Sequence, residues 1–140
     1  MSYLLDTNTV SELTRPHPDT GIVSWLAATD EHLVFLSVVT IAEVRYGIDR
    51  LPPGRRRAAL EAWLSVDLLD RFAGRILAVD TPIADRWGRL VSMCQGVGRP
   101  IGGMDAFLAA TADCHELTLV TRNVAHFAAL NLPIICPWSG

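Results

Sequence analysis

The sequence predicts a three-layer α/β/α domain built on a five-stranded parallel sheet, and three observations lead there. Short apolar runs alternate along the chain with longer stretches of helical periodicity, the order expected of repeated strand–helix units. The runs are apolar throughout instead of on every second residue, as in strands covered by helices on both faces. Half of the 140 residues are hydrophobic and 19% are charged, a balance that supports one substantial core and excludes a disordered chain.

Tyr3–Leu5 reads as the first strand and runs directly into Asp6, after which Thr7, Asn8 and Thr9 open a helix. Leu33–Ser37 is the second strand, followed by a helical pattern from about Thr40 to Arg50. Pro52, Pro53 and Gly54 break the chain, and Arg55–Arg71 resumes as an amphipathic helix with Ala59, Leu60, Trp63 and Leu64 on one side. Ile76–Val79 is the third strand. Asp80 or Thr81 caps the next helix, where Pro82 occupies the first turn and its missing N–H does no harm; that helix runs to about Met93. The glycine-rich stretch Gly96–Gly103 is a loop, and Met104–Cys114 is a helix dense in alanine. Thr118–Thr121 is the fourth strand, Val124–Leu130 a short helix and Pro133–Cys136 the fifth strand. No repeat, low-complexity tract or linker divides the chain, so residues 1–140 are read as a single domain.

The net charge is −3, and all twelve basic residues are arginine. A field of that sign does not draw nucleic acid to the whole molecule and disfavours a DNA-binding module. No apolar run approaches the roughly 18 residues of a bilayer span. The start, Met1-Ser2-Tyr3-Leu4-Leu5-Asp6, lacks the basic and long apolar stretches of a signal peptide. A soluble cytoplasmic protein with no membrane partner is expected. Cys94, Cys114 and Cys136 are far apart and make no zinc pattern with the histidines, so they are read as buried reduced thiols.

Ligands of open α/β sheets sit beyond the carboxyl ends of the strands. Asp6 lies at such an end, although an aspartate there also makes a good helix N-cap. Glu43 sits within the apolar stretch Val38-Val39-Thr40-Ile41-Ala42-Glu43-Val44 and shares a helix face with Val39 and Gly47. A carboxylate on such a stripe needs a partner, either a cation or an arginine such as Arg45 or Arg50. Asp105 follows Gly102-Gly103-Met104 and precedes Ala106, Ala109, Ala110 and Ala112, small residues that let its helix approach the sheet; an acid in a first turn is also favoured by the helix dipole. Taken together, the three acids fall at one edge of the sheet. Like charges gathered without a cation raise one another's pKa and oppose folding. Mg²⁺ takes a few carboxylates while keeping several waters, one of which can attack a phosphate. The chemistry implied is phosphodiester hydrolysis.

These residues resemble the PIN domain. The resemblance rests on Leu4-Leu5-Asp6-Thr7-Asn8, the Thr40-x-x-Glu43 helix, the Asp105-Ala106 helix start, Thr121-Arg122-Asn123-Val124-x-x-Phe127 and the closing Pro137-Trp138. Within that family the chain is most similar to VapC-type toxins of bacterial toxin–antitoxin pairs, in the FitB-like branch. The resemblance implies a five-stranded parallel sheet and Mg²⁺- or Mn²⁺-dependent cleavage of RNA. It also implies homodimerisation and neutralisation by a cognate antitoxin. Carried over, Asp6 and Asp105 are the metal-binding pair and Glu43 the third acid. Thr7, Asn8 and Thr121 orient the carboxylates. Members of the family often carry a further aspartate near Asn123 or three residues on, where this chain has His126. Neither position is acidic here, so Asn123 is expected to offer a neutral oxygen to a metal-bound water.

His17, His32, His115 and His126 show no paired ligand spacing, and His126 alone falls near the expected site. Arg55-Arg56-Arg57 reads either as a solvated face or as a grip on RNA phosphates or an acidic partner segment. Trp25, Trp63, Trp87 and Trp138 read as core or dimer-contact residues. An aspartyl-phosphate enzyme would also place an aspartate after the first strand. Its phosphatase form wants a second acid where this chain has Asn8, and both its forms want a lysine that the chain lacks. A degenerate PIN domain that binds RNA or a partner without cleavage is the remaining alternative.

Overall fold

The computed structural model describes residues 1–139. Strands β1 (Tyr3–Leu5), β2 (Val34–Ser37), β3 (Ile76–Leu77), β4 (Thr118–Val120) and β5 (Ile134–Ile135) form one sheet in the order β3-β2-β1-β4-β5. Every neighbouring pair is parallel, with Tyr3 opposite Val34 on one side and Thr118 on the other. The helices are α1 (Thr7–Glu12), α2 (Thr20–Ala28), α3 (Val38–Asp49), α4 (Arg55–Ala62), α5 (Leu69–Arg71), α6 (Thr81–Gly96) and α7 (Gly103–Cys114). The five-stranded parallel α/β fold is the one expected.

Successive residues of a strand point to opposite faces, and the two halves of the core follow that rule. Leu5, Val34, Leu36 and Val120 enter one layer with Val44, Ile48, Leu64, Leu68 and Phe72. Leu4 and Leu119 enter the other with Leu108, Ala109, Ala112 and Phe127. Continuous apolar strands are the consequence, because neither face of the sheet meets water.

Several boundaries differ from the sequence reading, each for a local reason. The second strand begins at Val34, since Glu31–Leu33 form a 3₁₀ turn capped by Asp30. Helix α3 starts at Val38 rather than Thr40 because the Ser37 hydroxyl accepts the Val39 N–H at 3.0 Å. The helix expected over Arg55–Arg71 is wound as a π-helix across Trp63–Leu68, between α4 and α5. Leu64 and Leu68 are buried there, while Ala59, expected on the same side, is exposed. Asp80 caps α6 with Pro82 in its first turn, as read, but the helix continues to Gly96. The segment Val124–Phe127 is a short 3₁₀ turn.

Helix α2 went unread. Its cap is Asp19, whose carboxylate accepts the Ile22 N–H at 3.1 Å and the Ser139 N–H at 3.0 Å, so the same acid ties the chain end to the helix. The approach is close: a Cβ on Gly21 would stand 2.2 Å from the Pro137 carbonyl oxygen. The cysteines are free, yet only Cys94 is buried; Cys114 is half-buried and Cys136 exposed, contrary to the expectation of three buried thiols. Cys136 lies just past the end of β5, where no helix covers it.

Candidate active site

Asp6 continues β1 beyond its carboxyl end. Its own N–H donates to the Val120 carbonyl at 2.9 Å, so the ladder with β4 fixes its position. The side chain does two jobs. Oδ1 accepts the Thr7 N–H at 2.6 Å and caps α1, while Oδ2 accepts the Thr121 hydroxyl at 2.7 Å. Asn8 Nδ2 lies 3.4 Å from Asp6 Oδ2 and 3.4 Å from Thr121 Oγ1. The capping reading of Asp6 is fulfilled, and its carboxylate also faces the edge of the sheet where a site was expected.

Helix α3 brings Glu43 to the same edge, where its Oε1 accepts the Thr7 hydroxyl at 2.7 Å. Thr7 Oγ1 also lies 3.2 Å from Thr40 Oγ1, so the threonine one turn before Glu43 joins the network. Glu43 does not take an arginine partner among the described residues: Arg45 lies 3.8 Å from Asp49, and Arg50 stands over the Tyr46 ring. Asp105 arrives in the first turn of α7. Buried Ala106, Ala109, Ala110 and Ala112 let that helix lie close to the sheet, and Trp87 fixes its start by donating to the Gly103 carbonyl at 2.9 Å.

The electrostatics of Asp6 are set first by burial. Burial of Asp6, which is 4% exposed, pushes its carboxyl above the ordinary value. The Thr121 hydroxyl and Thr7 N–H oppose that rise in part, and the charges of Asp105 and Glu43 push it further up. The arrangement is a buried carboxylate whose ionised form is disfavoured chiefly by burial and, to a smaller degree, by two neighbours of the same sign.

Asn123 stands beside this cluster through its backbone, donating its N–H to Thr121 Oγ1 at 2.9 Å, while the residue itself is exposed. Two residues that the sequence analysis named without a role in the cluster make contacts with it. Thr40 belongs to the network, with the Thr40-x-x-Glu43 spacing as its signal. His126 Nδ1 lies 3.0 Å from Asp105 Oδ2 and joins the 3₁₀ turn after β4 to the acid of α7. His17, His32 and His115 are exposed and make no contact with the cluster.

Donors of this kind, carboxylate and hydroxyl oxygens, suit a hard divalent cation. Among the described residues no three Asp, Glu, His or Cys side chains are close enough to form a ready-made cage. A divalent cation held here would therefore keep much of its water and meet few carboxylates.

Fold and edge together define a class: a parallel α/β domain whose strand ends gather acids from widely separated parts of the chain. The chain belongs to the PIN domain family, whose model matches residues 3–131. It is 38% identical over 135 residues to the toxin FitB of Neisseria gonorrhoeae, covering 96% of this chain and 97% of that protein. It is 36% identical over 135 residues to the VapC ribonuclease Y4jK of Sinorhizobium fredii, covering 96% of each. The crystal structure of FitAcB from Neisseria gonorrhoeae superposes with a TM-score of 0.92 at 38% identity, covering 99% of each chain. FitAB bound to a DNA fragment superposes with a TM-score of 0.91 at 36% identity, over 99% of this chain and 96% of that one. The family and branch read from the sequence are borne out.

Proposed function

We propose that this chain is the ribonuclease toxin of a toxin–antitoxin pair and hydrolyses RNA phosphodiester bonds at the Asp6–Glu43–Asp105 cluster. The observation that supports this most is Asp6, a buried carboxylate at the end of β1 joined through Thr7 to the carboxylate of Glu43. Burial of that charge is unfavourable by itself and becomes favourable once a cation is shared. Asp6 and Asp105 would hold Mg²⁺ or Mn²⁺, with Glu43 as the third acid. When bound, the ion supplies an activated water and stabilises charge on the phosphate.

The remaining work falls to the chain's own residues. Thr121 and Thr7 hold the two Asp6 oxygens, and Asn8 supports the first of these contacts. Thr7 also anchors Glu43, leaving its other carboxylate oxygen to orient a water. Arg56 lines a groove with Glu43, Gly47, Leu60 and Trp63 and is placed to meet a flanking phosphate. Arg57 is spoken for: it pairs with Glu61 at 3.2 Å and Asp49 at 3.7 Å, so the basic run is partly a solvated face. No helix among the described residues is long and apolar enough to cross a membrane, in keeping with a cytoplasmic site of action. The likeness to a solved toxin–antitoxin complex from Klebsiella pneumoniae supports an antitoxin as partner, and a homodimer is the assembly proposed. An arginine of the antitoxin would suit the acid cluster, since guanidinium pairs bidentately with carboxylate.

The test is cleavage of pooled RNA. Activity is expected to require divalent metal, stop with EDTA, and fall by at least about a hundredfold in Asp6→Asn, Glu43→Gln and Asp105→Asn, with Asn123→Ala losing less. Binding of RNA without cleavage under any metal would favour the degenerate reading and sink this one.

A further inference from the structure

Beside the acid cluster, Ala42, Glu43, Tyr46 and Met104 line an open cavity of about 390 Å³. Two large side chains stand on its rim, Tyr46 at 65% exposed and Met104 at 48%. Tyr46 follows Glu43 by three positions on α3, which sets ring and carboxylate on one helix face. The Arg50 guanidinium lies 5.4 Å from the ring centroid, so one face of the ring is already engaged by a cation. Among the described residues, Arg50 has no ion pair to compete for it.

We propose that this cavity receives an RNA base that stacks on Tyr46, and that Tyr46 thereby sets where along the strand the acid cluster acts. The inference rests on the ribonuclease reading and adds a specificity residue to it. Three features favour a base as the occupant. Glu43 belongs to both cluster and cavity, so a phosphodiester held at the cluster carries its neighbouring base to the cavity without rearrangement. The cavity excludes the phosphate itself, since its lining is apolar apart from an acid and a phenol hydroxyl; the neutral part of a nucleotide is what fits. A ring backed by a guanidinium on one face, with its other face toward a cavity that Met104 also lines, offers sequence-tolerant π-stacking, the usual means of holding single-stranded nucleic acid.

The test uses the full chain carrying Asp105→Asn, which leaves RNA uncut. Binding of a mixed-sequence RNA oligonucleotide is followed by fluorescence anisotropy, and stacking by quenching of a fluorescent purine analogue placed along the strand. Tyr46→Ala is expected to weaken binding about tenfold and relieve the quenching, with Tyr46→Phe and Tyr46→Trp retaining both. Its salt dependence should match the parent's, whereas Arg56→Ala should flatten that dependence. A folded Tyr46→Ala protein with parental RNA affinity and quenching would overturn the inference. So would a Tyr46→Ala defect confined to dimerisation or to antitoxin binding, because a protein would then be the occupant. If the parent itself binds no RNA, the ribonuclease reading fails, an outcome readily distinguished from the others.

Discussion

Asp6 is held against its own preference for water. Its carboxyl titrates above the ordinary aspartate value of 3.8 in the folded protein, chiefly through burial. Between those two values the native state binds more protons than the unfolded one, so stability falls as pH rises through that window. In EDTA, wild-type protein is therefore expected to lose urea resistance from Asp6 as pH is raised above 3.8, with Asp6→Asn giving a flatter profile. Urea midpoints of the two proteins across acid to neutral pH provide the check, and parallel curves would remove Asp6 as the source. Asp19 and Glu31 are shifted the other way by their hydrogen-bond partners, and the difference between the two proteins cancels them. The residues of the cluster were legible because carboxylates beside apolar strands and small-residue helices are conspicuous. The His126 contact was not, since a histidine's partner across 21 positions leaves no spacing signal.

At the scale of elements, what holds β2 and β3 together at the sheet edge is largely one arginine. Arg75 donates to the carbonyls of Glu31 and Val34 and pairs with the Glu31 carboxylate at 3.2 Å. Its guanidinium also lies over the Phe72 ring at 4.7 Å. The side chain is only 13% exposed, so these bonds are better sheltered than an ordinary surface pair. Replacing it removes the donor to the carbonyls of Glu31, Val34 and Arg71, beside the start of β2. Arg75→Ala is expected to destabilise the protein by about 2–3 kcal/mol, with Arg75→Lys restoring less than half, as read from urea midpoints. A change below about 0.5 kcal/mol would show that the edge is held by apolar packing alone. The same region explains why boundaries were read loosely. Ile76–Val79 is apolar, but backbone pairing ends at Leu77, because register with Leu36 and Ser37 is exhausted there. Helix α2 was missed because its apolar residues, Ile22, Val23, Trp25 and Leu26, do not keep to one stripe, and Val23 remains 46% exposed. The π-wound turn leaves no mark in the sequence, since its residues are ordinary helix formers. Only the packing of Leu64 and Leu68 against the sheet distinguishes it.

For the molecule as a whole, a cation shared by the proposed acids would tie the site to the stability of the fold. If the native state alone holds the ion, Mg²⁺ or Mn²⁺ at a hundred times its dissociation constant adds about 2.7 kcal/mol of stability. Melting curves with and without metal should show that gain, and Asp6→Asn or Asp105→Asn should abolish most of it. A full shift retained in both variants would put the ion elsewhere. The sheet order that makes this site also governs when it comes into being. β1 lies at the centre of the sheet, yet it is the first strand to leave the ribosome, and one of its two neighbours, β4, is nearly the last. Asp6 waits for a hydroxyl 115 residues downstream. At ordinary rates of synthesis that wait is roughly 6 to 23 s, during which the nascent chain has acids but no assembled edge on which to set them. Late closure of this kind keeps the Asp6 edge unassembled until Thr121 has been made.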